Sequence, residues 1–143
     1  MVPAPARFLV VEDNPQDARL LQEAFRETPT KPQVTHAANA EKAWKALQEA
    51  LKAPAAALPD LILLDLNLPG TSGHELLERM RGVPLLASLP VIILSSSQHQ
   101  ADVLRARGNR ATAYMAKPLT MDGYVALAQD LVHLWSDGRL RGH

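Results

Sequence analysis

The chain contains no cysteine, which excludes a disulfide framework, thiolate zinc sites and a cysteine nucleophile. It also lacks an excess of charge of either sign: 15 Lys and Arg residues balance 15 Asp and Glu residues, for a formal net charge of zero. Proteins that bind nucleic acid or membrane surfaces generally carry a basic excess or patch, so neither partner is expected. No apolar run approaches the length, about 18 residues, that a transmembrane helix requires. The opening Met1-Val2-Pro3-Ala4-Pro5-Ala6-Arg7 lacks the charged region and apolar core of a secretory signal, and the expected location is the cytoplasm. What is present is an ordinary globular composition, 47% hydrophobic and 21% charged over 143 residues. That length suits one domain, which can bury about two-thirds of its unfolded surface without a metal or disulfide staple.

Short apolar runs alternate with amphipathic stretches. Phe8-Leu9-Val10-Val11, Leu61-Ile62-Leu63-Leu64 and Val91-Ile92-Ile93-Leu94 read as buried strands, with Val34-Thr35-His36-Ala37 and Ala113-Tyr114-Met115-Ala116 as two weaker ones. Continuous apolar runs, as opposed to alternating ones, suggest strands covered on both faces. Asn14 and Pro15 open a first helix with an apolar stripe of Leu20, Leu21, Ala24 and Phe25. Ala40, Ala43, Trp44, Leu47 and Leu51 mark a second. Ser72 caps a third, with Glu75 three residues on and Leu76, Leu77 and Met80 on its apolar side. A fourth, around Asp102 to Arg107, is weakly patterned and stops at Gly108. Tyr124, Leu127, Ala128, Leu131 and Trp135 mark a fifth, ended by Gly138 and Gly142. The Pro/Ala segment from Ala53 to Pro59 reads as a loop. This alternation predicts an α/β fold with a doubly wound, five-stranded parallel sheet.

The polar residues that follow the strands carry the functional signal. Glu12 and Asp13 follow the first strand, Asp65 the third, Ser95 the fourth and Lys117 the fifth. In a parallel sheet these ends share one edge, where open α/β sheets place their ligands. The second strand ends in Ala37-Ala38-Asn39 and delivers nothing comparable, as suits an edge strand. An order of 2-1-3-4-5 sets the four contributing strands side by side. Three carboxylates in one pocket repel one another, so positive charge belongs among them. Lys117 supplies one unit and a divalent cation two. Carboxylate oxygens without His or Cys favour Mg²⁺, or Mn²⁺, over zinc. A carboxylate beside a metal, with a hydroxyl and a lysine opposite, has the parts for phosphoryl transfer onto Asp.

In sequence, Val11-Glu12-Asp13-Asn14-Pro15, Leu64-Asp65-Leu66-Asn67-Leu68-Pro69-Gly70, Leu94-Ser95-Ser96-Ser97 and Tyr114-Met115-Ala116-Lys117-Pro118 resemble the signatures of the receiver (response-regulator, CheY-like) family. The resemblance covers nearly the whole chain. It implies a flavodoxin-like (βα)5 fold in which Asp65 accepts a phosphoryl group from a histidine kinase. It further implies that Asp13 and Asp65 ligate the metal directly, Glu12 mainly through water and Asn67 by its backbone carbonyl. Ser95 and Lys117 would hold the phosphoryl oxygens, Tyr114 would be the switch aromatic that turns inward with Ser95, and the Lys117–Pro118 bond would be cis. A narrower similarity, in Leu61 to Ser97, Lys117-Pro118-Leu119 and Trp135, points to standalone regulators partnered with bacterial phytochromes. A bacteriophytochrome kinase is then the implied donor, and a downstream phosphotransfer protein an implied target. A homodimer through the face of the fourth helix, fifth strand and fifth helix, with Tyr114, Val125 and Trp135, is also implied.

Each residue has a plainer reading. Asp65 alone could cap a turn, Ser95 could belong to a polar Ser95-Ser96-Ser97 loop, and Tyr114 could be edge packing. Trp44 and Trp135 read as core or interface anchors. His36, His74, His99, His133 and His143 show no metal-ligand spacing. Arg105, Arg107 and Arg110 read as a solvated face. The alternative function is an aspartate-nucleophile, Mg²⁺-dependent phosphohydrolase of the haloacid-dehalogenase type. There the acidic pair comes late and a second Asp follows the nucleophile by two; here the pair comes first and Asn67 holds that position. A flavodoxin-like binder needs a phosphate cradle after the first strand, where Glu12-Asp13-Asn14-Pro15 would repel phosphate. Only 26 residues follow Lys117. Residues 1–143 are therefore expected to be a single receiver with a core of about 6–135 and no output domain, signalling by protein contact, with Asn67 and Ser97 tuning phosphoryl lifetime.

Overall fold

The structure, a computed structural model, describes residues 6–53, 57–68, 70–96 and 99–137. Ser97, Pro69, residues 54–56 of the Pro/Ala segment, the first five residues and the expected stops Gly138 and Gly142 lie outside the described residues, as does His143. Five parallel strands, β1 (Arg7–Val11), β2 (Gln33–Ala37), β3 (Leu61–Leu64), β4 (Val91–Ser95) and β5 (Ala113–Ala116), form one sheet in the order β2-β1-β3-β4-β5. The helices are α1 (Pro15–Arg26), α2 (Ala40–Leu51), α3 (Gly73–Arg81), α4 (Pro84–Ala87), α5 (Gln100–Gly108) and α6 (Met121–Ser136). The expected fourth and fifth helices are thus α5 and α6.

Strand periodicity divides the core into two layers. Leu9, Val11, Ile62, Leu64, Val91 and Ile93 point to one face and meet α2, α3 and α4 through Leu47, Leu76, Leu77, Met80 and Leu86. Phe8, Val10, Leu61, Leu63, Ile92 and Leu94 point to the other face and meet Leu21, Phe25, Tyr124, Ala128 and Leu131 of α1 and α6. β3 and β4 are buried at every position, which is why their sequences are unbroken apolar runs. β2 and β5 are the edges and are largely open.

Local chemistry explains the helix starts. Asn14 Oδ1 accepts from the backbone N–H of Gln16 at 2.9 Å and of Asp17 at 3.2 Å, ahead of Pro15. Ser72 Oγ accepts from Glu75 N–H at 3.2 Å. α4 is one turn, begun by Pro84, that the sequence pattern does not announce. Arg81, at the end of α3, ties it down. Its Nη1 donates to the carbonyls of Leu86, Ala87 and Leu89, and its Nε and Nη2 reach Asn109 and Arg110 just beyond α5. α5 itself buries only Ala106. It is attached to α3 mainly by polar contacts, His74 to Asp102 at 3.1 Å and Glu78 to Arg105 at 2.8 Å.

One expectation is corrected. No cis peptide bond occurs among the described residues, and the Lys117–Pro118 bond is trans. Trans is the favoured isomer of an X–Pro bond by about 0.5–1 kcal/mol. In the trans form Lys117 still donates its N–H to the Ser95 carbonyl at 3.1 Å and sends its side chain into the acidic pocket.

Candidate functional site

Parallel register delivers the site. Asp65 N–H bonds the Val11 carbonyl, Glu12 N–H the Ala37 carbonyl and Lys117 N–H the Ser95 carbonyl, each at 3.0–3.1 Å. The ladder therefore carries the strand ends level with one another: Ser95 closes β4, and Glu12, Asp65 and Lys117 directly follow β1, β3 and β5 at the same edge. Glu12, Asp65 and Ser95 are 2%, 4% and 0% exposed, whereas Asp13 lies in the open. Carboxylate oxygens of Glu12, Asp13 and Asp65 all lie within 4.8 Å of one another.

The Lys117 ammonium lies among these acids. Nζ is 2.6 Å from Glu12 Oε1, 2.9 Å from Asp65 Oδ2 and 3.0 Å from Asp17 Oδ2. Burial alone would lower the lysine pKa, but the hydrogen bonds it donates to Glu12, Asp65 and Asp17 outweigh it and hold the ammonium charged beyond its usual range. One cation shared among so many carboxylates leaves the site negative. The deepest of them responds: burial, followed by the neighbouring Asp65 charge, overcomes the Lys117 bond and pushes Glu12 up to about 7. Net negative charge, hard oxygen donors and no imidazole or thiolate among them make a donor set suited to a divalent cation.

Asp65 is oriented as well as charged. Its Oδ1 accepts the Asn67 N–H at 3.0 Å, and its Oδ2 accepts from Lys117. Asn67 Nδ2 donates to Ser95 Oγ at 3.3 Å, so amide, hydroxyl and carboxylate form one contiguous polar surface. Glu12 is fixed by the Asn14 N–H at 3.2 Å, and its carbonyl accepts from His36 Nε2 at 2.7 Å. Tyr114 is half-buried against the core layer shared by α2, α3 and α4.

Every residue expected at the edge from its strand position is there. Two members were not anticipated. Asp17 stands in the first turn of α1, where an acidic residue is ordinarily explained by the helix dipole alone. Tyr124 belongs to the apolar stripe of α6, yet its buried hydroxyl faces Asp17. His36 and His74 are likewise more engaged than their spacing suggested, through Glu12 and Asp102. A separate cavity of about 330 Å³, between α2 and the start of β1 and β2, has no acidic residue among the described residues that line it.

The 2-1-3-4-5 parallel sheet and this acid–lysine edge define a class of Asp-centred signalling domains. Residues 8–129 match the response regulator receiver domain family, and the chain belongs to it. Response regulator Rcp1 of Synechocystis is 29% identical over 131 residues, covering 92% of this chain and 89% of Rcp1. The phosphorylated cyanobacterial phytochrome response regulator RcpA superposes with a TM-score of 0.85 at 30% identity, covering 94% of this chain and 96% of RcpA. The Mn²⁺-bound form of Rcp1 gives 0.80 at 30% identity, over 92% and 94% of the two chains. The bacteriophytochrome response regulator AtBRR gives 0.70 at 30% identity, over 91% and 94%. The chain is thus a signalling receiver, not a turnover enzyme, and the phosphohydrolase alternative is set aside by the family match.

Proposed function

We propose that Asp65 is the phosphoacceptor of a two-component pathway, loaded by the phosphohistidine of a histidine kinase. A carboxylate oxygen of Asp65 attacks phosphorus, the N–P bond breaks, and the kinase imidazole keeps the electron pair and takes up a proton. The observation that carries this reading is Lys117 Nζ at 2.9 Å from Asp65 Oδ2, beside the buried Glu12 carboxylate and the Ser95 hydroxyl. Lys117 counters the charge of the incoming group, and Ser95 and the Asn67 amide offer polar atoms to its oxygens. Asp13, Asp65 and the Asn67 carbonyl are the proposed ligands of Mg²⁺, with Glu12 acting mainly through water. When bound, the cation neutralises charge on the transferring oxygens.

The output runs through protein contact. Tyr114 is proposed as the switch aromatic, turning inward as Ser95 closes on the phosphoryl group. Similarity to phytochrome response regulators supports a bacteriophytochrome as the kinase, with a phosphotransfer protein downstream. The α5–β5–α6 face, with Tyr114, Val125 and Trp135, is the proposed homodimer surface; Leu104 of α5 and Leu119 after β5 are exposed apolar side chains there. Light scattering with and without beryllofluoride tests it, and a monomer in both states refutes it. Among the described residues no helix is long and apolar enough to cross a membrane, and the site of action is proposed to be the cytoplasm.

Intact-mass measurement after incubation with acetyl phosphate and Mg²⁺ tests the acceptor. A single phosphate adduct is expected, lost in Asp65→Asn. Retention of the adduct in that variant overturns the assignment.

A further inference from the structure

Asp13 is placed by its backbone. Its side chain is exposed, and none of the described residues hydrogen-bonds or ion-pairs with its carboxylate, although that carboxylate clusters with Glu12 and Asp65. Glu12, the residue before it, is instead held at every polar atom. Its N–H donates to the Ala37 carbonyl at 3.0 Å, its Oε1 lies 2.6 Å from Lys117 Nζ, and its Oε2 accepts from the Asn14 N–H at 3.2 Å. The remaining atom, the Glu12 carbonyl oxygen, accepts from His36 Nε2 at 2.7 Å. A carbonyl cannot donate, so Nε2 carries the hydrogen.

That bond stands where a rung of the sheet is missing. In a parallel ladder, a residue that gives its N–H to one carbonyl of the neighbouring strand takes back the N–H two residues further on. For Glu12 the returning N–H would belong to Asn39. β2 ends at Ala37, however, and the chain turns at Asn39 to cap α2, where Asn39 Oδ1 accepts from the Lys42 N–H at 2.8 Å. The His36 side chain supplies the rung instead. It reaches Glu12 from the exposed end of the edge strand, on the same face as Val34.

We propose that His36 is a positioning residue for Asp13, fixing the Glu12–Asp13 peptide at the end of β1 so that the Asp13 carboxylate meets the cation. The inference rests on Asp13 being a ligand of Mg²⁺. The atoms of a peptide unit share a plane, so a bond to the Glu12 carbonyl also sets the direction in which Asp13 Cα leaves the strand. Without that bond the carbonyl turns toward water, and the exposed Asp13 swings with it. Glu12 itself stays, tied by its N–H and both carboxylate oxygens. The loss therefore falls on the cation and spares the fold. Removing a partner one layer behind a metal ligand generally weakens affinity by about 10- to 100-fold, and His36, acting through backbone, belongs at the lower end.

Titration calorimetry with Mg²⁺ on the full chain tests this. His36→Leu keeps bulk without the donor and His36→Ala removes both; each should bind Mg²⁺ about tenfold more weakly than the parent. His36→Gln, whose side-chain amide can donate to the same carbonyl, should recover most of the affinity. A bond that served the fold alone would show in urea unfolding and leave the affinity unmoved. Parental affinity in His36→Leu and His36→Ala, or no recovery in His36→Gln, overturns the proposal. The parent chain decides independently of any variant: long-range ¹H–¹⁵N correlation spectra that put the His36 hydrogen on Nδ1 and not on Nε2 overturn it too. A parent that binds no Mg²⁺ refutes the metal reading itself and this proposal with it, whereas unchanged binding in the variants leaves that reading standing.

Discussion

Gly73 begins α3 at a point where the helix presses on the acceptor strand. A Cβ there would lie 2.4 Å from the Asp65 carbonyl oxygen and 2.8 Å from Leu66 Cα. Both atoms are backbone, so no side chain can swing aside. Ordinary contact begins near 3.5 Å, and Gly73→Ala therefore demands a separation of about 1 Å between α3 and the end of β3. Overpacking of this kind costs about 1–3 kcal/mol, and the better helix propensity of alanine returns at most about 1 kcal/mol. The expected net loss is about 2 kcal/mol. Urea unfolding followed by circular dichroism measures it, with Gly108→Ala as the control. No atom lies within 4 Å of a Cβ at Gly108, near the end of α5, so that change should be neutral or stabilising by up to about 1 kcal/mol. Displacing the Asp65–Leu66 peptide also disturbs the Asn67 N–H that orients Asp65, so adduct formation with acetyl phosphate should slow in Gly73→Ala only. A Gly73→Ala chain as stable as its parent, loading at the parental rate, would refute the close approach.

Four other outcomes follow from the contacts described above. Arg81→Ala removes five donations to carbonyls around α4 and α5 and should cost about 2–4 kcal/mol in urea unfolding, less than the sum because exposed carbonyls regain water. Glu12, raised to about 7, must lose its proton to serve a cation, so Mg²⁺ affinity measured by calorimetry should rise with pH through about 7 and then level off. By the same linkage, Glu12's raised pKa favours the metal-free fold below its unfolded value, and that contribution is lost as pH climbs through about 7. Lys117→Met strips the buried acids of their shared partner. It should lower metal-free stability by about 3 kcal/mol at pH 8 and less at pH 5, where Glu12 keeps its proton, with Mg²⁺ recovering part of the loss.

The strands and the edge residues were readable because two periodicities and one rule are written locally. Val91-Ile92-Ile93-Leu94 is unbroken because both faces of β4 are buried, and a polar residue directly after such a run must emerge at the sheet edge. What escaped reading leaves no periodic pattern. α4 has four residues, too few for a pattern, and persists because Arg81 collects its carbonyls. The trans Lys117–Pro118 bond is a choice between two near-equal isomers that no residue type reveals.

By itself, then, the sequence determined the parallel five-stranded sheet and the meeting of Glu12, Asp13, Asp65, Ser95 and Lys117, since strand burial and strand direction follow from side-chain pattern. Only the tertiary structure decided how one ammonium is divided among Glu12, Asp65 and Asp17. The contacts of Lys117 with Asp65 and Asp17 join residues 52 and 100 positions apart, and no local pattern in the sequence reports a pairing over such a distance.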